Sequence, residues 1–285
     1  MEEYLITKIL SNNVVLVTKQ NKDFILVGKG IGFGKKKGQF ISNLKDIENT
    51  FVSLEGINSG EYKDLLSKVD PQIIELTQDI VKMVSEEIDE NLNPHFHLGL
   101  IDHINFAIKR LKEGIEIVNP FLSETKLLYP KEFGLAQRSV KILRNNLNID
   151  IPEAEVGFIT FHIYGATNDK TKNDAFKNSK IISKIIQFIQ RKLEINLDKN
   201  SFNYVRFVSH IRGVLDRIKR NKTVTNVFLN QLKNDLSYEF KVAYDISKII
   251  ENDLKIKVPE DEIGFIALHL YKLRLSSEES SPSER

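Results

Sequence analysis

The sequence predicts a multidomain chain: a small antiparallel β domain followed by two duplicated, all-α helical-bundle domains. Three observations carry that fold class. Apolar residues alternate over roughly the first 56 positions and recur at helical spacing afterwards. The helical part repeats itself at an offset of 107: residues 102–164 and 209–271 share 24 of 63 positions without a gap, where roughly 4 are expected by chance. The length, 285 residues, suits two or three domains of ordinary size.

In the β module, Tyr4 to Leu10, Asn13 to Lys19 and Asp23 to Val27 are short β-branched or aliphatic runs. Ser11-Asn12 and Gln20-Asn21-Lys22 separate them with turn chemistry, which predicts antiparallel strands. Phe51 to Leu54 offers a fourth strand. About 55 residues bury too little for comfortable stability, so the module is expected to pair with a second copy of itself.

From Tyr62 onward, Asp102 to Lys112, Pro130 to Leu147 and Ile181 to Leu193 carry apolar residues at three- and four-residue steps and predict amphipathic helices. Residues 165–180, rich in small and charged side chains, read as an interdomain linker. The expected division is a β domain at 1–56, helical domains at 62–167 and 175–275, and a disordered tail at 276–285.

Composition removes several classes of function. With no Cys, disulfide scaffolds, thiol catalysis and cysteine-bearing zinc sites are excluded, and a reducing compartment fits. No apolar run approaches the roughly 20 residues that span a bilayer, and Met1-Glu2-Glu3 lacks the basic flank of a signal peptide. A cytoplasmic chain without membrane insertion is expected. A net charge of +2 argues against wholesale coating of nucleic acid but permits a local basic face.

That face lies at the start of the chain, where residues 1–45 hold eight Lys against Glu2, Glu3 and Asp23. GKGIGFGKKKG, from Gly28 to Gly38, is not a nucleotide loop. In every register the sixth place of a dinucleotide fingerprint is Phe33, Lys35 or Lys37, and Gly34-Lys35 is followed by Lys36 where a P-loop needs Ser or Thr. Alternate glycines in a strand-like run permit close backbone approach, Phe33 offers a stacking surface, and Lys29, Lys35, Lys36 and Lys37 offer phosphate contacts. Lacking a recognition helix in the first 60 residues, the module suits RNA with exposed bases better than duplex DNA.

Four of the six histidines occupy duplicated positions: His103 with His210, and His162 with His269. One histidine on an apolar helix face is ordinarily a satisfied core residue; four at matched positions need a shared reason. His103 and His210 are expected to begin their helices, so that each copy brings two imidazoles to one cleft. Metal binding fits poorly, because His95 and His97 have Phe202 and Tyr204 as their counterparts and no third ligand recurs. Hydrolysis would need an activated Ser and an orienting acid, and neither motif is present. The remaining reading is imidazole as phosphoryl acceptor, with no catalytic residue, metal or cofactor.

These pieces resemble the BglG/SacY family of bacterial transcriptional antiterminators over almost the whole chain. TKILSNNVVLV and GKGIGFGKKKG resemble its co-antiterminator RNA-binding domain. DHINFAIKR with EVGFITFHI, then SHIRGVLDRI with EIGFIALHL, resemble its two phosphotransferase-regulated domains. The glucose-operon members are the most similar, with sucrose and β-glucoside members close.

The resemblance implies a homodimer that binds an mRNA leader hairpin through Lys8, Asn13, Gly28, Lys29, Gly30, Ile31, Gly32 and Phe33, so that a terminator cannot form. It implies phosphorylation of His103 and His162 by a sugar permease, which inactivates, and of His210 and His269 by the carrier HPr, which often activates. Asp102, which the family places before the first histidine, has Ser209 as its counterpart, so phosphorylation of the second domain is expected to differ. The alternative from another class is a histidine phosphocarrier whose basic module binds an acidic partner. A DNA-binding regulator that shares the helical domains is disfavoured by the β module.

Overall fold

The computed structural model describes residues 3–10, 12–20, 22–28, 30–41, 49–53, 65–66, 68–88, 92–166 and 171–279. Two compact units divide the chain: Met1–Asn119 with Lys131–Lys172, and Pro120–Pro130 with Asn173–Arg285.

The first unit opens with an antiparallel sheet in the order β4-β1-β2-β3-β5, formed by β1 (Tyr4–Ile9), β2 (Val14–Lys19), β3 (Lys22–Val27), β4 (Phe40–Ile41) and β5 (Asn49–Ser53). Period-two alternation puts Tyr4, Ile6, Val15, Val17, Leu26, Ile31 and Ile41 into one core cluster. Between Ile6, opposite Val17, and Lys8, opposite Leu16, the register shifts by a bulge. Val14 through Val17 are all fully buried, so both faces of β2 are covered.

The first three strands and β5 follow the sequence expectation, although Leu54 lies outside the described residues. Strand β4 was not anticipated, because two residues carry no periodicity. It forms because the chain before it bonds to the β1 edge: Ile6 N–H donates to the Gln39 carbonyl and Gly38 N–H to the Ile6 carbonyl, both at 2.8 Å.

Helices α1 (Pro71–Ile88), α2 (Pro94–Lys112), α5 (Glu153–Tyr164) and all but the first residue of α4 (Pro130–Leu147) complete the first unit. Helix α2 begins eight residues before the predicted start at Asp102. Asn93 caps it by accepting the His95 N–H at 2.9 Å, with Pro94 in the first turn. His103 therefore sits in mid-helix, not at a helix start.

The second unit holds α3 (Leu122–Leu128), α7 (Phe202–Lys219), α8 (Leu229–Asp235), α9 (Ser237–Leu254), α10 (Glu260–Glu279) and all but the first residue of α6 (Lys172–Leu193). Ser201 caps α7 by accepting the Tyr204 N–H at 3.2 Å, so His210 is also in mid-helix.

Three sequence boundaries differ. The second half of the expected linker is helix, because its small and polar residues are buried partners: Asn178 accepts from Lys219 at 2.9 Å, and Ser179 accepts from the Thr125 hydroxyl at 3.3 Å. Residues 120–130, expected inside the first helical domain, belong to the second unit. There the Tyr204 hydroxyl donates to buried Glu124 at 3.2 Å and Arg212 donates to the Leu128 carbonyl. Finally, α10 continues through Glu279, so four residues of the expected disordered tail are helical; the last six lie outside the described residues.

Candidate functional site

The glycine-rich segment is a chain of turns, not the strand-like run expected. Its positive-φ glycines are Gly30 (69°), Gly34 (67°) and Gly38 (91°), four residues apart, where side-chain-bearing residues are strained. Successive turns close through Ile31 N–H to the Gly28 carbonyl at 3.1 Å and Phe33 N–H to the Gly30 carbonyl at 2.9 Å.

Asn13 organises this segment. Its carbonyl accepts Gly28 N–H at 3.0 Å, and its side-chain oxygen accepts Gly30 N–H at 2.8 Å. The neighbouring Asn12 carbonyl accepts Gly32 N–H at 2.9 Å. Asn13, Gly28, Gly30, Ile31 and Gly32 are thus brought together. Ile31 is 6% exposed within the sheet core, so its side chain anchors the turn and does not face a ligand.

Phe33 stands out from the turn at 73% exposure, flanked by exposed Lys35, Lys36 and Lys37. Lys8 is half-buried on β1 opposite Leu16. Lys29 lies outside the described residues. Sequence reasoning missed Glu75 on α1, whose carboxylate accepts from the Asn13 side-chain amide at 2.7 Å. No local pattern links residues 62 apart.

The four duplicated histidines form two pairs. Helices α2 and α5 bring His103 and His162 together with ring centroids 4.8 Å apart and planes tilted by 35°. Helices α7 and α10 stack His210 on His269 at 4.2 Å and 25°. Phe158 lies 6.2 Å from His103, and its repeat counterpart Phe265 lies 6.3 Å from His210. The two imidazoles of each copy are thus brought together, from mid-helix positions.

Electrostatics favour neutral imidazoles at His162, His210 and His269. Burial first, then His103 and Lys172, hold His162 well below its ordinary value. Burial, then His269 and Arg217, push His210 down to about 3. His269 is lowered by burial and by Arg206 and Lys272. A neutral imidazole keeps a nitrogen lone pair, which a nucleophile toward phosphorus requires.

The pairs differ in their acidic partner. His103 Nε2 meets the Glu155 carboxylate at 2.8 Å. The counterpart carboxylate, Glu262, is instead held by Arg217 through two bonds of 2.6 and 2.8 Å, and buried His210 Nε2 has no hydrogen-bond partner.

Of the two histidines weighed for metal binding, His97 is buried, bonded to Gln78 and pushed down to about 3 by burial, and His95 is exposed. Among the described residues, no group of three or more His, Cys, Asp or Glu is placed to hold a metal ion. Nor is any helix there long and apolar enough to cross a membrane.

Comparison with known proteins agrees with this division of labour. Residues 4–56 match the CAT RNA binding domain, and residues 78–166 and 183–273 each match the PRD domain. Protein GlcT of Staphylococcus saprophyticus is 33% identical over 273 residues, covering 95% of this chain and 97% of the relative. Protein GlcT of Staphylococcus haemolyticus is 34% identical over 273 residues, covering 95% and 96%. A crystal structure of GlcT CAT-PRDI superposes with a TM-score of 0.52 at 35% identity, covering 58% of this chain and 99% of that one. An RNA-binding domain ahead of two histidine-bearing regulatory domains is the architecture of a phosphorylation-regulated antiterminator of a sugar phosphotransferase operon, and the chain belongs to the BglG/SacY family, of the glucose-operon type.

Proposed function

We propose that the chain binds the leader mRNA hairpin of a glucose-uptake operon as a homodimer in the cytoplasm, and that phosphorylation at the histidine pairs decides whether it can. It has no catalytic activity of its own. The observation that carries the reading is the twice-built imidazole pair, at 4.8 and 4.2 Å, in the same chain as an exposed Phe33 on a basic turn. Phe33, Asn13, Lys8, Lys29 and the backbone of Gly28 to Gly32 form the RNA face. His103 and His162 receive phosphate from the sugar permease, and His210 and His269 receive it from HPr.

The switch is electrostatic. A phosphoryl group adds about −1.5 to −2 charges and three acceptor oxygens. On a half-buried imidazole facing a symmetry mate, it opposes association unless Arg or Lys meets it. The test is readthrough of a terminator reporter with His103→Ala and His162→Ala chains in cells without sugar. Constitutive readthrough is expected; sugar dependence retained by both variants overturns the inhibitory assignment. Titration of the full chain against the leader hairpin and a duplex DNA of equal charge, at two salt concentrations, tests the RNA face. Equal, strongly salt-dependent binding to both reduces it to a charge patch.

A further inference from the structure

We propose that Glu155 is the positioning residue for phosphoryl transfer to His103, and that residue 106 and its repeat counterpart 213 decide which imidazole has such a carboxylate. The inference rests on the proposed role of the histidines as phosphoryl acceptors.

The two copies give one carboxylate two different partners. At an offset of 107, Glu155 matches Glu262, His103 matches His210, Arg110 matches Arg217 and Phe106 matches Gly213. In the first copy, the buried Glu155 carboxylate holds His103 Nε2 at 2.8 Å, and the His103 side chain is 20% exposed. Arg110 is occupied elsewhere. Its guanidinium lies 5.8 Å from the centre of the Phe106 ring and donates to the Glu116 carbonyl at 3.2 Å.

In the second copy, Gly213 replaces that ring. A Cβ at Gly213 would lie 3.1 Å from Arg217 Nη1, so the guanidinium occupies the space that a side chain there would take. From this position Arg217 grips Glu262 with two charge-assisted bonds. Glu262 is then unavailable to His210, whose buried Nε2 has no hydrogen-bond partner.

The chemical consequence follows from donor and acceptor types. An ionised carboxylate only accepts, so Glu155 places the His103 proton on Nε2 and leaves the lone pair on Nδ1. That lone pair attacks phosphorus on a phosphoramidate-type donor. A bond forms between Nδ1 and phosphorus, the donor's bond to phosphorus breaks, and its electron pair stays with the donor. Positive charge developing on the imidazole is offset by Glu155, which retains the Nε2 proton in its hydrogen bond, the same logic as the orienting acid of a catalytic triad. His210 has no such counter-charge and faces Arg217 instead.

The experiment uses the full chain with inorganic phosphoramidate as donor. Site-resolved mass spectrometry reads labelling rates, and nitrogen NMR reads the His103 tautomer and the phosphorylated nitrogen. Expected are phosphate on Nδ1 of His103, and a loss of at least about tenfold in its labelling rate in Glu155→Gln, with mixed tautomers. Arg217→Gln should accelerate labelling of His210. Phe106→Gly should slow that of His103 by letting Arg110 take Glu155. Unchanged His103 rate and tautomer in Glu155→Gln, or phosphate on Nε2, overturns the inference while leaving the phosphoryl reading standing. No phosphate on His103 in the unaltered chain overturns both.

Discussion

Asn13 and Glu75 are joined by a 2.7 Å hydrogen bond from the asparagine amide to the glutamate carboxylate. The other end of the same amide accepts the Gly30 N–H, so one side chain ties the glycine turn to α1. Asn13→Ala should lose both bonds, costing about 1–3 kcal/mol of stability and loosening the turn. Hairpin affinity should fall with it. Glu75→Ala removes only the helix end of the link and should weaken binding less. Equal hairpin affinity in the Asn13→Ala and unaltered chains, by titration, would show that the turn holds its shape without this amide.

Phe33 tests the opposite case, a residue whose burial contributes almost nothing to the fold. At 73% exposure its removal should leave the urea midpoint unchanged. Base stacking on an aromatic ring contributes about 1–3 kcal/mol, so Phe33→Ala should weaken hairpin binding roughly 5- to 150-fold. Unchanged affinity would refute the stacking role.

Acid should destabilise the fold through buried imidazoles. His97 and His210 fall from an ordinary value of 6.5 to about 3 in the folded chain. Between those values the unfolded chain binds more protons than the folded one, so stability is complete above about pH 6.5 and declines as pH drops toward 3. His162 adds to the decline with the same sign. Urea midpoints measured from pH 8 to pH 4 should fall below pH 6.5, with a shallower slope in His97→Gln; a flat profile contradicts neutral burial.

Two helical glycines should respond with opposite signs. A Cβ at Gly264 would stand 2.7 Å from Asn226 Nδ2 and 2.9 Å from Leu229 Cδ1. Asn226 itself is fixed by bonds to Asp261. Gly264→Ala should therefore cost about 1–3 kcal/mol. A Cβ at Gly134, within α4, would meet nothing within 4 Å, and Gly134→Ala should stabilise by about 0.4–1 kcal/mol. Thermal melts of both variants check the pair, and shifts of the same sign in both would contradict it.

Legibility in the sequence followed the range of the physics. Strands β1 to β3 were readable because alternation and turn residues are local, and the histidine pairs were readable because duplication made a long-range fact visible as an offset. Helix starts at Pro94 and Phe202 were missed because their signals, Asn93-Pro94 and Ser201, are single caps preceding weak apolar patterns. The linker reading failed at Asn178 and Ser179, since a buried polar residue with a partner has the same letter as an exposed one. The contrast between Glu155 and Glu262 had no local signature: both lie in nearly identical segments, and the difference arises one helix away, at Phe106 and Gly213.

The assignment of residues 120–130 to the second unit makes the covalent order of the chain differ from the grouping of its packed residues. If the second unit unfolds, Glu124 and Leu128 lose Tyr204 and Arg212, and the seventeen-residue connection from α2 to α4, residues 113–129, loses those anchors. Duplication has thus left a stretch of the first repeat packed among residues of the second.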